Sequence, residues 1–189
     1  MYLIKIAEET ESIVDDGEYI NNNGQVVDLD PYLDISIEGS KYYDPETKVA
    51  PFIKYVQPKI SVTSEKTLDA AIRLIDGGVK DVVALNFASA KRPGGGWLSG
   101  AVAQEEDLAR CSALEYVLLS EPDFYKHYKN PLYSDAIILS PNVPFFRNSD
   151  YCLLDKPYTI SILTCAAPNL RCSLAKEERN LVPKVLKSR

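Results

Sequence analysis

Histidine is almost missing from this chain. A single one, His127, stands among 189 residues, which argues against a His-based nucleophile triad. The four cysteines, Cys111, Cys152, Cys165 and Cys172, form no C-x-x-C pair. Without partner histidines they make a Cys/His zinc site a poor expectation, and neither metal nor cofactor is expected. No apolar run approaches the ~18–20 residues of a membrane span. The first ten residues, Met1 to Thr10, reach acidic side chains too early for a secretory signal. Positive charge is in deficit too: 21 Lys and Arg against 27 Asp and Glu give −6. Phosphate-tracking by bulk charge and sequence-specific nucleic-acid binding are therefore not expected, and a nucleotide would have to be met by local groups. These absences lead to the expectation of an intracellular, cytoplasmic chain, with the nucleus left open and its thiols reduced and mostly in the core.

What remains is ordinary globular material. With 46% hydrophobic and 25% charged residues, the composition suits one domain with a sizeable core. Residues 1–57 read as an irregular N-terminal extension. It holds a short apolar strand at Tyr2–Ile6, a turn at Asn21–Gly24, an alternating Leu33–Ile37 stretch and several prolines. From 58 to 189 the pattern is that of an α/β core. Ile60–Val62 reads as a strand and Ser64 as a helix cap. Leu68, Ala71, Ile72 and Ile75 share one helical face that Gly77-Gly78 ends. Val82–Leu85 is a continuous apolar run of the kind buried on both faces. A helix from about Gln104 to Ser120, a strand at Ala136–Leu139, a Pro-flanked loop over 141–157, a strand at Tyr158–Thr164 and a partly helical tail over 173–188 complete the order. Alternating strands and helices with long crossovers predict an α/β sandwich with a largely parallel or mixed sheet.

The chemistry concentrates between a buried strand and the next helix, where open α/β sheets bind ligands. Asn86 closes the strand, Gly94-Gly95-Gly96 and Trp97 follow, then Gly100, and Gln104-Glu105-Glu106 opens the helix. Consecutive glycines let backbone approach a ligand and turn N–H groups toward an anion. The stretch is neither a dinucleotide fingerprint nor a P-loop, since no G-x-G-x-x-G and no Gly-Lys-Ser/Thr occurs in it. Adjacent helix positions point ~100° apart, so Glu105 and Glu106 cannot be the facing pair of an ordinary glycosidase. One could move a proton while the other binds a hydroxyl, and spacing does not say which. Phe145, Phe146 and Tyr151 are candidates to stack on a base, although such aromatics more often seal a core. Arg92 and Arg171 are candidates for phosphate, against the commoner solvated arginine.

Gly-Gly-Gly, a seven-residue spacer (Trp97–Ala103) and Gln-Glu-Glu closely resemble the signature of the microbial-type poly(ADP-ribose) glycohydrolases. Leu85–Ala90, Leu108–Leu114, Pro141–Arg147, Leu154–Pro157 and Ala166–Asn169 extend the resemblance over roughly 40–180. It implies a macrodomain-like three-layer α/β/α sandwich that binds ADP-ribose, or poly(ADP-ribose) on modified proteins, and cleaves the ribose–ribose O-glycosidic bond. By the same resemblance Glu106 is the acid–base, Glu105 holds a ribose hydroxyl and Gln104 helps fix the loop. Gly94, Gly95 and Gly96 face the diphosphate or distal ribose, Asn86 positions ribose and Trp97 walls the pocket. A helix N-terminus favours carboxylate over carboxylic acid, whereas burial under substrate, Glu105 and the diphosphate push the other way; Glu106 is thus expected to become a competent acid in the complex.

The family carries a further region with a second glycine-rich diphosphate loop near Gly-Cys-Gly-x-Phe, and nothing in 173–189 matches it. A truncated core is therefore expected, its sheet lacking the next strand and exposing an edge and apolar surface. Two rival readings follow from that: a non-catalytic ADP-ribose-binding module or inactive homologue, and an assembly subunit that uses the open edge.

Overall fold

The structure, a computed structural model, describes residues 1–48, 57–126, 132–168 and 176–188. His127, Arg171, Cys172 and the Asn169 end of the Ala166–Asn169 motif lie outside the described residues.

Residues 1–43 form helices and strands rather than an irregular extension. Helix α1 (Tyr2–Asp16) replaces the expected strand at their start. Its buried residues Ala7, Thr10 and Val14 recur at helical spacing past the acids that seemed to end the apolar stretch. Gly17 stops it at φ 69°, and its N–H returns to the Val14 carbonyl. A Cβ there would lie 2.3 Å from Asp30 Oδ1, so any other residue would have to displace that carboxylate as well as take a strained left-handed conformation. The hairpin β1 (Glu18–Ile20) and β2 (Val26–Asp28) follows. Its turn is the expected one, with Asn21 Oδ1 accepting from the N–H groups of Asn23 and Gln25.

Helix α2 (Asp30–Gly39) takes in the alternating Leu33–Ile37 stretch. Pro31 in its first turn has no N–H to lose, and Leu33 and Ser36 face inward three residues apart. Strand β3 (Lys41–Tyr43) then joins the edge of the main sheet. Val14, Tyr19, Leu29, Leu33, Ala113 and Phe146 form one apolar cluster, which welds this segment to the rest.

Residues 60–62 are not a strand: Ile60 and Val62 are solvent-exposed. Helix α3 (Thr67–Asp76) is entered from extended Lys66 without a side-chain cap, so Ser64 does not cap it. Its inward face is the expected one, with Leu68 and Ala71 buried, Ile72 and Ile75 packed against the core, and Gly77 ending it. Strand β4 (Val83–Ala88) alternates: Ala84, Asn86 and Ala88 are buried, whereas Val83, Leu85 and Phe87 are 56%, 38% and 56% exposed. Among the described residues it is covered on one face, not both.

The expected single helix over 104–120 is two, α4 (Gln104–Cys111) and α5 (Leu114–Leu119). Ser112 is extended and bridges to Phe145, while the Ala113 N–H donates to the Pro144 carbonyl. The Ser112 hydroxyl donates to the Leu108 carbonyl at 2.7 Å and accepts the Leu114 N–H at 3.1 Å, closing one helix and opening the next.

The expected loop over 141–157 is mostly sheet. Strands β5 (Ile137–Arg147) and β6 (Leu153–Ala166) form a long antiparallel hairpin. Pro141 falls where the register shifts between Ser140 and Val143, with Asn142 at φ 52°. The sheet order is β3-β5-β6-β4, mixed, with β4 and β6 parallel. Helix α6 (Lys176–Ser188) accounts for the helical tail. Residues of α3, α4 and α5, among them Leu68, Leu108, Leu114 and Leu118, pack on one face of β4, β5 and β6 against Ala84, Ile138, Phe145 and Ile162.

Leu33 is 5% exposed and Ile35 56%, as a helix requires and a strand forbids. In urea unfolding, Leu33→Ala should cost ~2–5 kcal/mol and Ile35→Ser should change stability by no more than about 0.5 kcal/mol. Equal costs would place both side chains on one face, as in a strand, and overturn the helix.

Candidate active site

Strand β4 ends at Ala88, and the chain then folds into short turns that lead to α4. Gly94 and Gly95 adopt φ of 64° and 62°, left-handed conformations in which other residues are strained. The Gly95 N–H donates to the Arg92 carbonyl at 3.1 Å and the Trp97 N–H to the Gly94 carbonyl at 3.3 Å. A 3-10 turn, Trp97–Ser99, and Gly100 carry the chain to α4.

Three consecutive side chains of α4 then reach back to this segment. Gln104 Oε1 accepts the Phe87 N–H at 2.9 Å, and its Nε2 donates to the Leu85 carbonyl at 2.7 Å and the Thr67 hydroxyl at 3.1 Å. Glu105 Oε2 accepts the Ser89 N–H at 2.6 Å. Glu106 Oε1 accepts the Gly96 N–H at 3.0 Å. The anion held by the glycine turn in this structure is thus Glu106 itself. Gly95 lies between the two acids: a Cβ there would fall 2.5 Å from Glu106 Oε1 and 2.9 Å from Glu105 Oε2. No side chain can occupy that position without displacing both carboxylates.

The two acids differ in setting. Glu106 is half-buried, whereas Glu105 is 3% exposed and its Oε1 has no hydrogen-bond partner. Burial pushes the Glu105 carboxyl up to about 8; the Ser89 N–H opposes this, the neighbouring Glu106 charge adds to it, and the Asn86 amide and Gly94 N–H pull it back. Asn86 is fully buried, its amide donating to the Thr164 hydroxyl at 3.3 Å, and its Oδ1 has no partner.

The other sequence candidates separate. Trp97 is 4% exposed, packed with Ala7 and Ala109 and lying against Gly94, so its indole supports the loop and offers a ligand little surface. Phe145 and Phe146 are completely buried in two core clusters and stack on nothing from solvent. Tyr151 is half-buried, its hydroxyl donating to Asp107, with Lys66 Nζ 5.8 Å from its ring centroid. It lines a cleft of about 370 Å³ with Lys66, Thr67, Gln104 and Asp107. Arg92 is exposed. No group of three His, Cys, Asp or Glu suited to a metal occurs among the described residues, and no described helix is long and apolar enough to cross a membrane.

Sequence reasoning missed two groups. Ser89 meets Glu105 through its N–H, which no side-chain pattern reveals, while its hydroxyl accepts the N–H groups of Lys91 and Arg92 at 3.2 and 3.3 Å. Tyr125 lies in a short 3-10 turn (Pro122–Lys126), and its buried hydroxyl has no partner. Burial, then the charges of Glu105 and Glu115, push its phenol upward. No sequence signal connects it to Glu105, twenty residues earlier.

A carboxyl raised from 4.5 to about 8 in the folded state binds its proton more tightly there than in the unfolded chain. Its contribution to stability is full below the lower value and is lost as pH rises through the upper one. Unfolding midpoints in urea should therefore fall across that window, and Glu105→Gln should flatten the fall. An unchanged slope in the variant would show that Glu105 is ionised throughout.

The model of the family described as "Microbial-type PARG, catalytic domain" matches residues 7–148, starting within α1 and so earlier than the motifs suggested. The chain is similar to the crystal structure of poly(ADP-ribose) glycohydrolase from Thermomonospora curvata, with 40% identity and a TM-score of 0.87 over 98% of this chain and 71% of that one. The same enzyme bound to the inhibitor ADP-HPD aligns at 40% identity and a TM-score of 0.84, over 98% and 70%. The Deinococcus radiodurans enzyme in complex with ADP-ribose aligns at 37% identity and a TM-score of 0.72, over 84% and 66%. No curated protein matches the chain. A family match spanning most of the chain, the mixed macrodomain-like sheet and the two acids closing on a glycine turn lead to one conclusion: this chain belongs to the microbial-type poly(ADP-ribose) glycohydrolase catalytic-domain family.

Proposed function

We propose that this chain hydrolyses the ribose–ribose O-glycosidic bond of poly(ADP-ribose) on modified proteins and releases ADP-ribose, with Glu106 as acid–base. The observation that carries the reading is the pair at the start of α4: a half-buried carboxylate on the Gly96 N–H, beside a buried carboxyl with one oxygen unpartnered. Glu106 protonates the leaving ribose oxygen as the glycosidic bond breaks, then takes a proton from the water that attacks the oxocarbenium-like carbon. Glu105, through its free Oε1, holds a ribose hydroxyl, and Asn86 beside it keeps that carboxyl in place. The left-handed turns at Gly94 and Gly95 let substrate approach backbone closely. Gln104 acts at one remove, since its amide is engaged by β4 and Thr67. An intracellular setting suits this reading: Cys111 and Cys152 are free thiols, the second of them exposed.

Release of ADP-ribose from a poly(ADP-ribosyl)ated protein tests the proposal. The native chain should release it. Glu106→Gln, whose amide oxygen can still accept the Gly96 N–H, should release it ~10²–10⁴-fold more slowly, with ADP-ribose affinity changed only a few-fold. Gly95→Ala should also slow release strongly, and lose ~1–3 kcal/mol of stability through its positive φ. Binding of ADP-ribose without release by the native chain would instead identify a binding module.

A further inference from the structure

We propose that Arg110 is a positioning residue for the reaction: buried beneath the glycine turn, it fixes the Gly96 N–H against the Glu106 carboxylate. The inference rests on the role given to Glu106 above. Arg110 stands one helical turn after Glu106 on α4 and is completely buried. It forms no described salt bridge. Its two Nη groups instead meet backbone carbonyls: Nη2 donates to the loop carbonyls Trp97 O at 3.0 Å and Ala101 O, and Nη1 to Glu106 O of α4 at 3.2 Å, while Nε has no partner.

The connection to the acid is short. The Ala101 N–H donates to Gly96 O at 3.2 Å, so residues 96–101 form a closed loop. Arg110 grips that loop at Trp97 and at Ala101, and Glu106 grips it at the Gly96 N–H. With both ends held from α4, the distance between the Gly96 N–H and the carboxylate is set by the helix rather than by the glycines, which have no side chains to set it. Arg110 is held in turn from outside: its own carbonyl accepts the Thr10 hydroxyl of α1 at 2.9 Å, and that hydroxyl accepts Arg147 Nε at 3.0 Å. A planar fork with several fixed donors can hold these separated carbonyls at once. A lysine ammonium on a flexible stem cannot hold them in the same geometry.

The test compares Arg110→Lys with Leu33→Ala, a core variant in an apolar cluster that does not include Trp97, which controls for lost stability. Two quantities are read on the full chain: amide hydrogen exchange at Gly96, and kcat and KM for ADP-ribose release. In Arg110→Lys the Gly96 amide should exchange faster, and kcat should fall roughly 10²-fold while KM changes only a few-fold. Leu33→Ala should leave Gly96 exchange slow and kcat near the native value. Native exchange and native kcat in Arg110→Lys overturn the inference, as does an equal loss in both variants. If the native chain releases no ADP-ribose, the functional proposal fails; unchanged Gly96 exchange in an active chain defeats the positioning role alone.

Discussion

The N–H groups of Phe87, Ser89 and Gly96 end on three consecutive side chains of α4, Gln104, Glu105 and Glu106. The candidate site depends on this arrangement. A helix start leaves its own first N–H groups without intrahelical partners and draws negative charge toward them. Here the same turn also supplies acceptors to the strand end and loop that precede it. Neighbouring helix positions point about 100° apart, so three adjacent side chains reach three separate places. One meets the edge of β4, one the chain as it leaves β4, and one the glycine turn.

Below this turn the molecule holds ionisable groups where water cannot reach them. Glu105, Arg110 and Arg147 are all buried. A buried charge must find partners nearby or change its ionisation. Arg110 meets three carbonyls, and Arg147 meets the Thr10 hydroxyl, the Tyr151 carbonyl and Glu9 at 2.8 Å. Glu105, with one oxygen unmet, takes the other course and holds its proton more tightly. The N-terminal helix takes part in this directly, because Thr10 links the two arginines and Ala7 packs against Trp97.

The sheet has a different character on its other side. Val83, Leu85 and Phe87 leave the outward face of β4 largely uncovered among the described residues. At its edge, the Gln104 amide occupies the Leu85 carbonyl and the Phe87 N–H, which blunts the edge for pairing with another strand. The glutamine that opens the motif thus serves the strand as much as the loop.

Much of this was legible without coordinates where the information was local. The sparsity of histidine argued against a His-based triad, and the run from Gly94 to Glu106 pointed to the candidate site because consecutive glycines stand shortly before adjacent carboxylates. The inward face of α3 followed from spacing alone. The sequence was ambiguous where two periodicities shared the same residues: Leu33, Ile35 and Ile37 fit a strand as well as a helix, and only burial of Leu33 with exposure of Ile35 separates them. The break at Ser112 and the strand through Pro141 and Pro144 depend on each other, since one is the pairing partner of the other and neither is visible alone. By itself the sequence determined which residues could do chemistry and in what order they come. Only the tertiary structure decided which of two adjacent glutamates is buried, which faces the glycine turn, and which arginine holds that turn, because burial and long-range hydrogen bonds belong to groups brought together from distant parts of the chain.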